Sequence, residues 1–160
     1  MERITKKDRR YMQVAIELSI ENIENGGGPF GAVIVRDDKI VATGTNRVTS
    51  DNDPTAHAEV NAIREACARE KNFKLDGCTI YSSCEPCPMC LAAIYWAGIS
   101  RVFYGNTQQD AEEIDFGDKF IYEEIARNPE SRSIPMRMIM REEALRAFTE
   151  WKEKEDKIPY

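Results

Sequence analysis

The sequence predicts an α/β fold with helices on the faces of a mixed sheet. Three observations predict it: an amphipathic run opens the chain, two β-rich runs joined like a hairpin follow, and short β runs then alternate with helical patterns. Crossovers between parallel strands in such an order are right-handed. With 160 residues, 42% of them hydrophobic, residues 1–160 fit one domain around a single core. No internal repeat, low-complexity tract or linker interrupts it.

From about Thr5 to Glu24, Tyr11, Val14, Ala15 and Leu18 recur at helical spacing, and Gly26-Gly27-Gly28-Pro29 ends the helix. Phe30 to Val35 and Lys39 to Thr45 read as two strands turning at Asp37-Asp38. Asn46, at the exit of the second, reads on spacing alone as a turn residue. Asp53-Pro54 is a helix start, with Asp as N-cap and Pro at the first helical position, so a helix is expected from there to about Glu70. Asp76-Gly77 turns the chain into a short strand, Cys78 to Ser82. Pro86 is expected to open a helix that carries Cys87 and Cys90 and runs to Gly98, and Arg101 to Tyr104 is the next strand. Thr107 to Gly117 is polar and acidic, a loop or a poorly periodic helix. Lys119 to Ala126 is helical and stops before Pro129. Ile134, Met136, Met138 and Met140 alternate as one face of a strand would, and Glu142 to Glu155 is an amphipathic helix through Ala144, Leu145, Phe148 and Trp151.

Charge narrows the function. Lys and Arg number 22 against 28 Asp and Glu, a formal net charge of -6. That balance argues against a large phosphate-binding face, because nucleic-acid binders gather basic residues into a patch. Residues 1–10 are strongly charged and Glu17 cuts the apolar run that follows, so neither a signal peptide nor a membrane span is read and a cytoplasmic location is expected. In that compartment five cysteines, an odd number, read as metal-binding or catalytic rather than as a disulfide frame.

The chemistry concentrates in Thr55-Ala56-His57-Ala58-Glu59 and Ser83-Cys84-Glu85-Pro86-Cys87-Pro88-Met89-Cys90. One imidazole and two thiolates are the ligand atoms zinc takes, and a catalytic zinc keeps three protein ligands with water on the fourth position. Cys87 and Cys90, three apart near a helix start, can point one way, and the positive end of the helix dipole favours thiolates. His57 is the only histidine; the thirty positions from it to Cys87 leave room for a helix, a turn and a strand. Two helix tips can then meet beside one sheet edge. H-x-E with P-C-x-x-C is the pattern of zinc-dependent nucleobase deaminases. In that chemistry zinc lowers the pKa of a bound water from about 16 towards 7, hydroxide attacks an amidine-like ring carbon, and Glu59 shuttles the protons. A competing reading is a closed structural site with Cys84 as fourth ligand, which leaves Glu59 without a task.

On these motifs the chain resembles the cytidine-deaminase-like superfamily and, within it, the bacterial guanine deaminases. The resemblance also takes in Pro29 through Val35, Asn52 through Val60, Tyr95-Trp96-Ala97, Val102-Phe103-Tyr104, Phe120-Ile121-Tyr122 and a chain ending in Tyr160. It implies a three-layer α/β/α sandwich on a mixed five-stranded sheet, and one Zn2+ per subunit on His57, Cys87 and Cys90 with Glu59 as proton shuttle. It implies that Asn46 and the backbone near Ala58 hold a purine base, with Phe30 and Trp96 against the ring and Asp118 on the purine edge or the leaving amine. It further implies a homodimer that exchanges its C-terminal segment, about 115–160, so that Tyr160 closes the partner's site. Gly117 departs from the pattern, standing where a second acid is expected. The activity implied is hydrolysis of guanine to xanthine and ammonia, with no nucleic-acid or membrane partner. The rivals are a tRNA adenosine deaminase, a deaminase of cytosine or another small aminated heterocycle, and a non-catalytic zinc module.

Overall fold

In a computed structural model, which describes residues 3–159, the chain forms two compact units, Met1–Lys119 and Phe120–Tyr160. The first is built on a four-stranded sheet. Helix α1 (Lys6–Glu24) is followed by the hairpin β1 (Gly31–Arg36) and β2 (Lys39–Thr45), the short α2 (Val48–Asp51), α3 (Ala58–Glu70), β3 (Thr79–Cys84), α4 (Pro88–Trp96), β4 (Arg101–Asn106) and the single-turn α5 (Gln108–Glu112). The sheet order is β2-β1-β3-β4; β1 runs antiparallel to both β2 and β3, and β3 and β4 are parallel. The sheet is mixed, as expected, with four strands rather than five among the described residues.

Layering follows from which side chains the two central strands turn each way. Ala32, Ile34 and Ile80 pack with Ala58, Ala62 and Ala66 of α3 and Ile94 of α4, whereas Val33, Val35 and Tyr81 pack with Tyr11 and Ala15 of α1. Period-2 alternation therefore feeds two cores, and β1 and β3 read as continuous apolar runs because both of their faces are covered. The small residues of α3 let it lie close on β2. Gly44 is the contact point, since a Cβ there would strike the carbonyl of Ala58 and the amide of Ala62. The Thr5 hydroxyl and Asp8 form a capping box that starts α1, and Asp37 and Asp38, both at positive φ, make the tight β1–β2 turn.

Two helix starts differ from expectation. Asp53 does not cap α3: its Oδ1 instead accepts from the amide (2.8 Å) and hydroxyl (2.7 Å) of Thr55, closing a local turn, and α3 begins four residues later with His57 as N-cap. Likewise α4 starts at Pro88, not Pro86, with Cys87 as N-cap. Of the two prolines, Pro88 sits where a missing N–H costs nothing.

The second unit holds α6 (Lys119–Ala126), one 3-10 turn (Pro129–Ser131) and α7 (Arg141–Glu153). Its turn closes on Glu124, whose Oε2 accepts from the Ser133 amide (2.6 Å) and hydroxyl (2.9 Å), while Arg132 donates to the Glu124 carbonyl at 3.0 Å. The strand expected over Ile134 to Met140 does not form. Alternation records a face to be covered, but no strand pairs with this stretch, and Met138 and Ile139 are about four-fifths exposed (81% and 80%). Met140 then takes a left-handed conformation at the start of α7.

Candidate active site

His57 and Cys87 occupy equivalent places: each is the N-cap of its helix, in extended conformation, and neither side chain accepts a capping hydrogen bond. A ring nitrogen and a sulfur are therefore projected ahead of the two helices instead of folding back onto them. Cys90 lies in the first turn of α4 behind Cys87, and Glu59 in the first turn of α3 behind His57. The chain around them is pinned. Asn61 donates to the carbonyls of Thr45 (2.9 Å) and Ala56 (3.2 Å), and the Arg47 amide donates to Ala56 O (2.9 Å), so β2 holds the entry to α3. At the end of β3 the Ser83 hydroxyl accepts from the Gly31 amide at 3.0 Å, fixing the start of β1 beside the same helix tips.

The ligand atoms of His57, Cys87 and Cys90 all lie within 4.8 Å of one another, and each sulfur stands 3.5 Å from His57 Nδ1. Tetrahedral zinc, with Zn–S about 2.3 Å and Zn–N about 2.0–2.1 Å, requires S···N of about 3.6 Å. The three residues fit one zinc ion through Nδ1 and two sulfurs. Cys84 does not join them. Its Sγ is directed at the Thr107 carbonyl, 3.7 Å away, and burial pushes its thiol up to about 11. The closed four-ligand reading therefore lacks its fourth ligand, and one vertex is left for a small molecule.

The two thiols are pushed in opposite directions. The hydrogen bond from Cys90, with that from His57, draws the Cys87 thiol down to about 4 against its burial. The same bond, together with burial and the adjacent Glu59, pushes Cys90 up. The thiolate at Cys87 in turn raises His57 above its ordinary value. A divalent cation binds such cysteines as thiolates, so binding releases protons.

Glu59 is 6% exposed. Its Oε1 accepts from the Ser82 hydroxyl at 3.0 Å and its Oε2 lies 3.3 Å from Cys90 Sγ. Burial raises the carboxyl above the usual carboxylate range, with the bonds from Cys90 and Ser82 opposing it. Ser82, which bonds the Glu59 carboxylate, is not revealed by the motif; its signal is a hydroxyl in the middle of an apolar strand, which needs a partner once both faces are covered.

The expected base-binding residues are placed unevenly. Asn46 is buried, and its amide donates to the carbonyl of Phe30 at 3.2 Å, so these two lie together; Ala58 is fully buried at the start of α3. The Phe30 ring meets Phe116 edge-on, centroids 5.0 Å apart. Asp118 is half-buried, and its Oδ1 accepts from Gln108 Nε2 at 2.6 Å. Trp96 stands at the far end of α4, six residues (about 9 Å of helix rise) beyond Cys90, and is 67% exposed. Tyr160 lies outside the described residues.

Residues 5–106 match the family described as the cytidine and deoxycytidylate deaminase zinc-binding region. The guanine deaminase of Bacillus subtilis (strain 168) is 50% identical to this chain over 151 residues, 94% of this chain and 97% of the relative. The tRNA-specific adenosine deaminase of Buchnera aphidicola subsp. Schizaphis graminum is 39% identical over 112 residues, 70% of this chain and 74% of the relative. The X-ray structure of guanine deaminase from Bacillus subtilis superposes with a TM-score of 0.93 at 47% identity, covering 98% of this chain and 99% of that one. With a His-Cys-Cys triangle of zinc dimensions at two helix tips and a buried glutamate beside it, the chain belongs to the cytidine and deoxycytidylate deaminase zinc-binding family.

Proposed function

We propose that this chain hydrolyses guanine to xanthine and ammonia. The observation that carries the reading is a buried carboxylate, Glu59, held by Ser82 at the side of a three-ligand metal triangle with a free vertex. Guanine is favoured among bases because similarity to a guanine deaminase spans 151 residues here, against 112 for a tRNA-specific relative. The excess of 28 acidic over 22 basic residues also opposes a tRNA face.

When bound, zinc supplies a Lewis acid that makes a water nucleophilic near neutral pH. Glu59 Oε2 is the atom assigned to take the nucleophile's proton: Oε1 holds the Ser82 hydroxyl, whereas the donor on Oε2 is the Cys90 thiol, whose proton is given up when that sulfur binds metal as a thiolate. The carboxyl then returns protons to the ring nitrogen and to the departing amine; a C–O bond forms, the C–N bond breaks, and ammonia leaves. Burial, by holding the carboxyl above the ordinary range, suits it to carry a proton rather than lose it at once.

We assign the base to the neighbourhood of Phe30, Asn46 and the Ala58 backbone, with Asp118, steadied by Gln108, on the purine edge and Trp96 as the outermost candidate. We place the protein in the cytoplasm, in keeping with five free cysteines, two of them required as thiolates; no helix of the described residues is long and apolar enough to cross a membrane. We propose also that two copies pair and exchange the segment from about 115 to 160, carrying Tyr160 to the partner's site. Support comes from the apolar side chains that α6, α7 and residues 134–140 leave exposed, Phe120, Ile125, Ile134, Ile139 and Phe148 among them.

Offered guanine, adenine, cytosine and tRNA in turn, purified zinc-loaded protein should convert guanine, followed by ultraviolet absorbance; turnover of tRNA or cytosine with none of guanine would overturn the substrate. Glu59→Gln should retain zinc and lose activity by at least about 10²-fold. Ser82→Ala should also retain zinc, with kcat lowered about tenfold, since it strips a buried carboxylate oxygen of its donor. Zinc loss in step with activity in either variant would make them structural. For the exchanged tail, Glu59→Gln subunits refolded together with subunits lacking Tyr160 should regain activity that neither has alone. No recovery in verified mixed dimers would rule the exchange out.

A further inference from the structure

Asn22 is a polar side chain near the end of α1, 7% exposed, and no zinc-site motif includes it. Its amide group has two hydrogens, and both are used on backbone carbonyls of the segments assigned to the base: Nδ2 donates to Gly28 O at 2.8 Å and to Asn46 O at 2.9 Å. Those carbonyls belong to one small network. The Phe30 amide donates to Gly28 O at 2.8 Å, and the Asn46 amide donates to Phe30 O at 3.2 Å. The Asn46 side-chain oxygen accepts from the Val48 amide at 3.3 Å. Gly27 packs against this staple so closely that a Cβ there would fall on Asn22 Nδ2 and within 2.7 Å of Asn46 O.

We propose that Asn22 is a positioning residue for substrate binding, fixing the spacing between the Phe30 ring and the Asn46 side chain. The inference rests on the assignment of the base to Phe30 and Asn46. Without Asn22, the glycine loop 26–28 and the exit of β2 keep the Phe30–Asn46 backbone bond and a 3.4 Å bond from the Thr49 hydroxyl to Gly26 O, neither of which ties Gly28 O to Asn46 O. The two flanking segments are then held less tightly, and a planar base meets a ring and an amide at a less fixed separation. Glu59, Ser82 and the metal ligands sit on α3, β3 and α4, and none of them bonds to Asn22. Loss of the staple therefore weakens ground-state and transition-state binding alike, which raises KM and spares kcat.

The test compares Asn22→Asp, Asn22→Ser and Gly27→Ala with the wild-type enzyme. Steady-state kinetics are measured on the base the wild type converts, alongside zinc content and thermal midpoint. Asn22→Asp faces two carbonyls with a carboxylate, and Gly27→Ala wedges a methyl group into the same contact from the other side. Each should raise KM about tenfold or more with kcat within about threefold and zinc content unchanged. Asn22→Ser combined with Gly27→Ala should cost less than the two separately, because both break one contact. Unchanged KM in a folded variant, or kcat falling together with zinc content, overturns the inference. Should Asn22→Asp fail to fold, Gly27→Ala and Asn22→Ser decide alone. If the wild type converts a base and the variants keep its KM, only this inference fails; if the wild type converts no base, the functional reading fails first.

Discussion

Two helices that begin without a side-chain cap are the constraint on which the rest of this structure depends. N-cap positions usually hold Ser, Thr, Asp or Asn, whose oxygen satisfies an orphan amide, and forgoing it costs about 0.5–2 kcal/mol per helix. At α3 and α4 the N-caps are His57 and Cys87, and neither side chain bonds back to its helix. Metal coordination by both residues supplies the favourable interaction that the forgone caps do not. The arrangement also directs the positive ends of both helices at the triangle, where thiolate charge accumulates.

Everything else holds those two tips in register. β3 is buried along its whole length, so a shift of one residue would turn Tyr81 out of one core and Ile80 out of the other. The buried hydroxyls at its C-terminal end are each bound to one partner: Ser82 to the Glu59 carboxylate, Ser83 to the amide that starts β1. Gly44 lets α3 approach β2 closely, which sets the height of His57 and Glu59 above the sheet. Asn22 and Asn61 extend the same logic to the loops, each donating twice to backbone carbonyls.

What the sequence revealed and what it hid have separate physical causes. His57, Glu59, Cys87 and Cys90 were legible because metal chemistry restricts residue types, and spacing on a helix restricts where they can sit. The hairpin and α1 were legible because apolar periodicity and turn residues agree there. Two helices start two to four residues beyond the local signals: Asp53 and Pro86 are favourable starts locally, but bonds from the Arg47 amide to Ala56 O and from the Glu85 amide to Asn106 O keep those stretches out of the helices. The strand expected at residues 134–140 failed for a related reason, since alternation states what needs covering without supplying the neighbour. Asn22 carries no sequence signal and Ser82 only a hydroxyl within an apolar strand, because their bonds are of high sequence separation, 23 residues from Ser82 to Glu59 and 24 from Asn22 to Asn46.

The most direct test of the three-ligand centre is zinc X-ray absorption on the metal-loaded protein. Two sulfurs at about 2.3 Å and two nitrogen or oxygen atoms at about 2.0–2.1 Å, one of them exchangeable with solvent, are expected. Three sulfurs around the metal would mean that Cys84 closes the site and that no vertex is left for a reacting water.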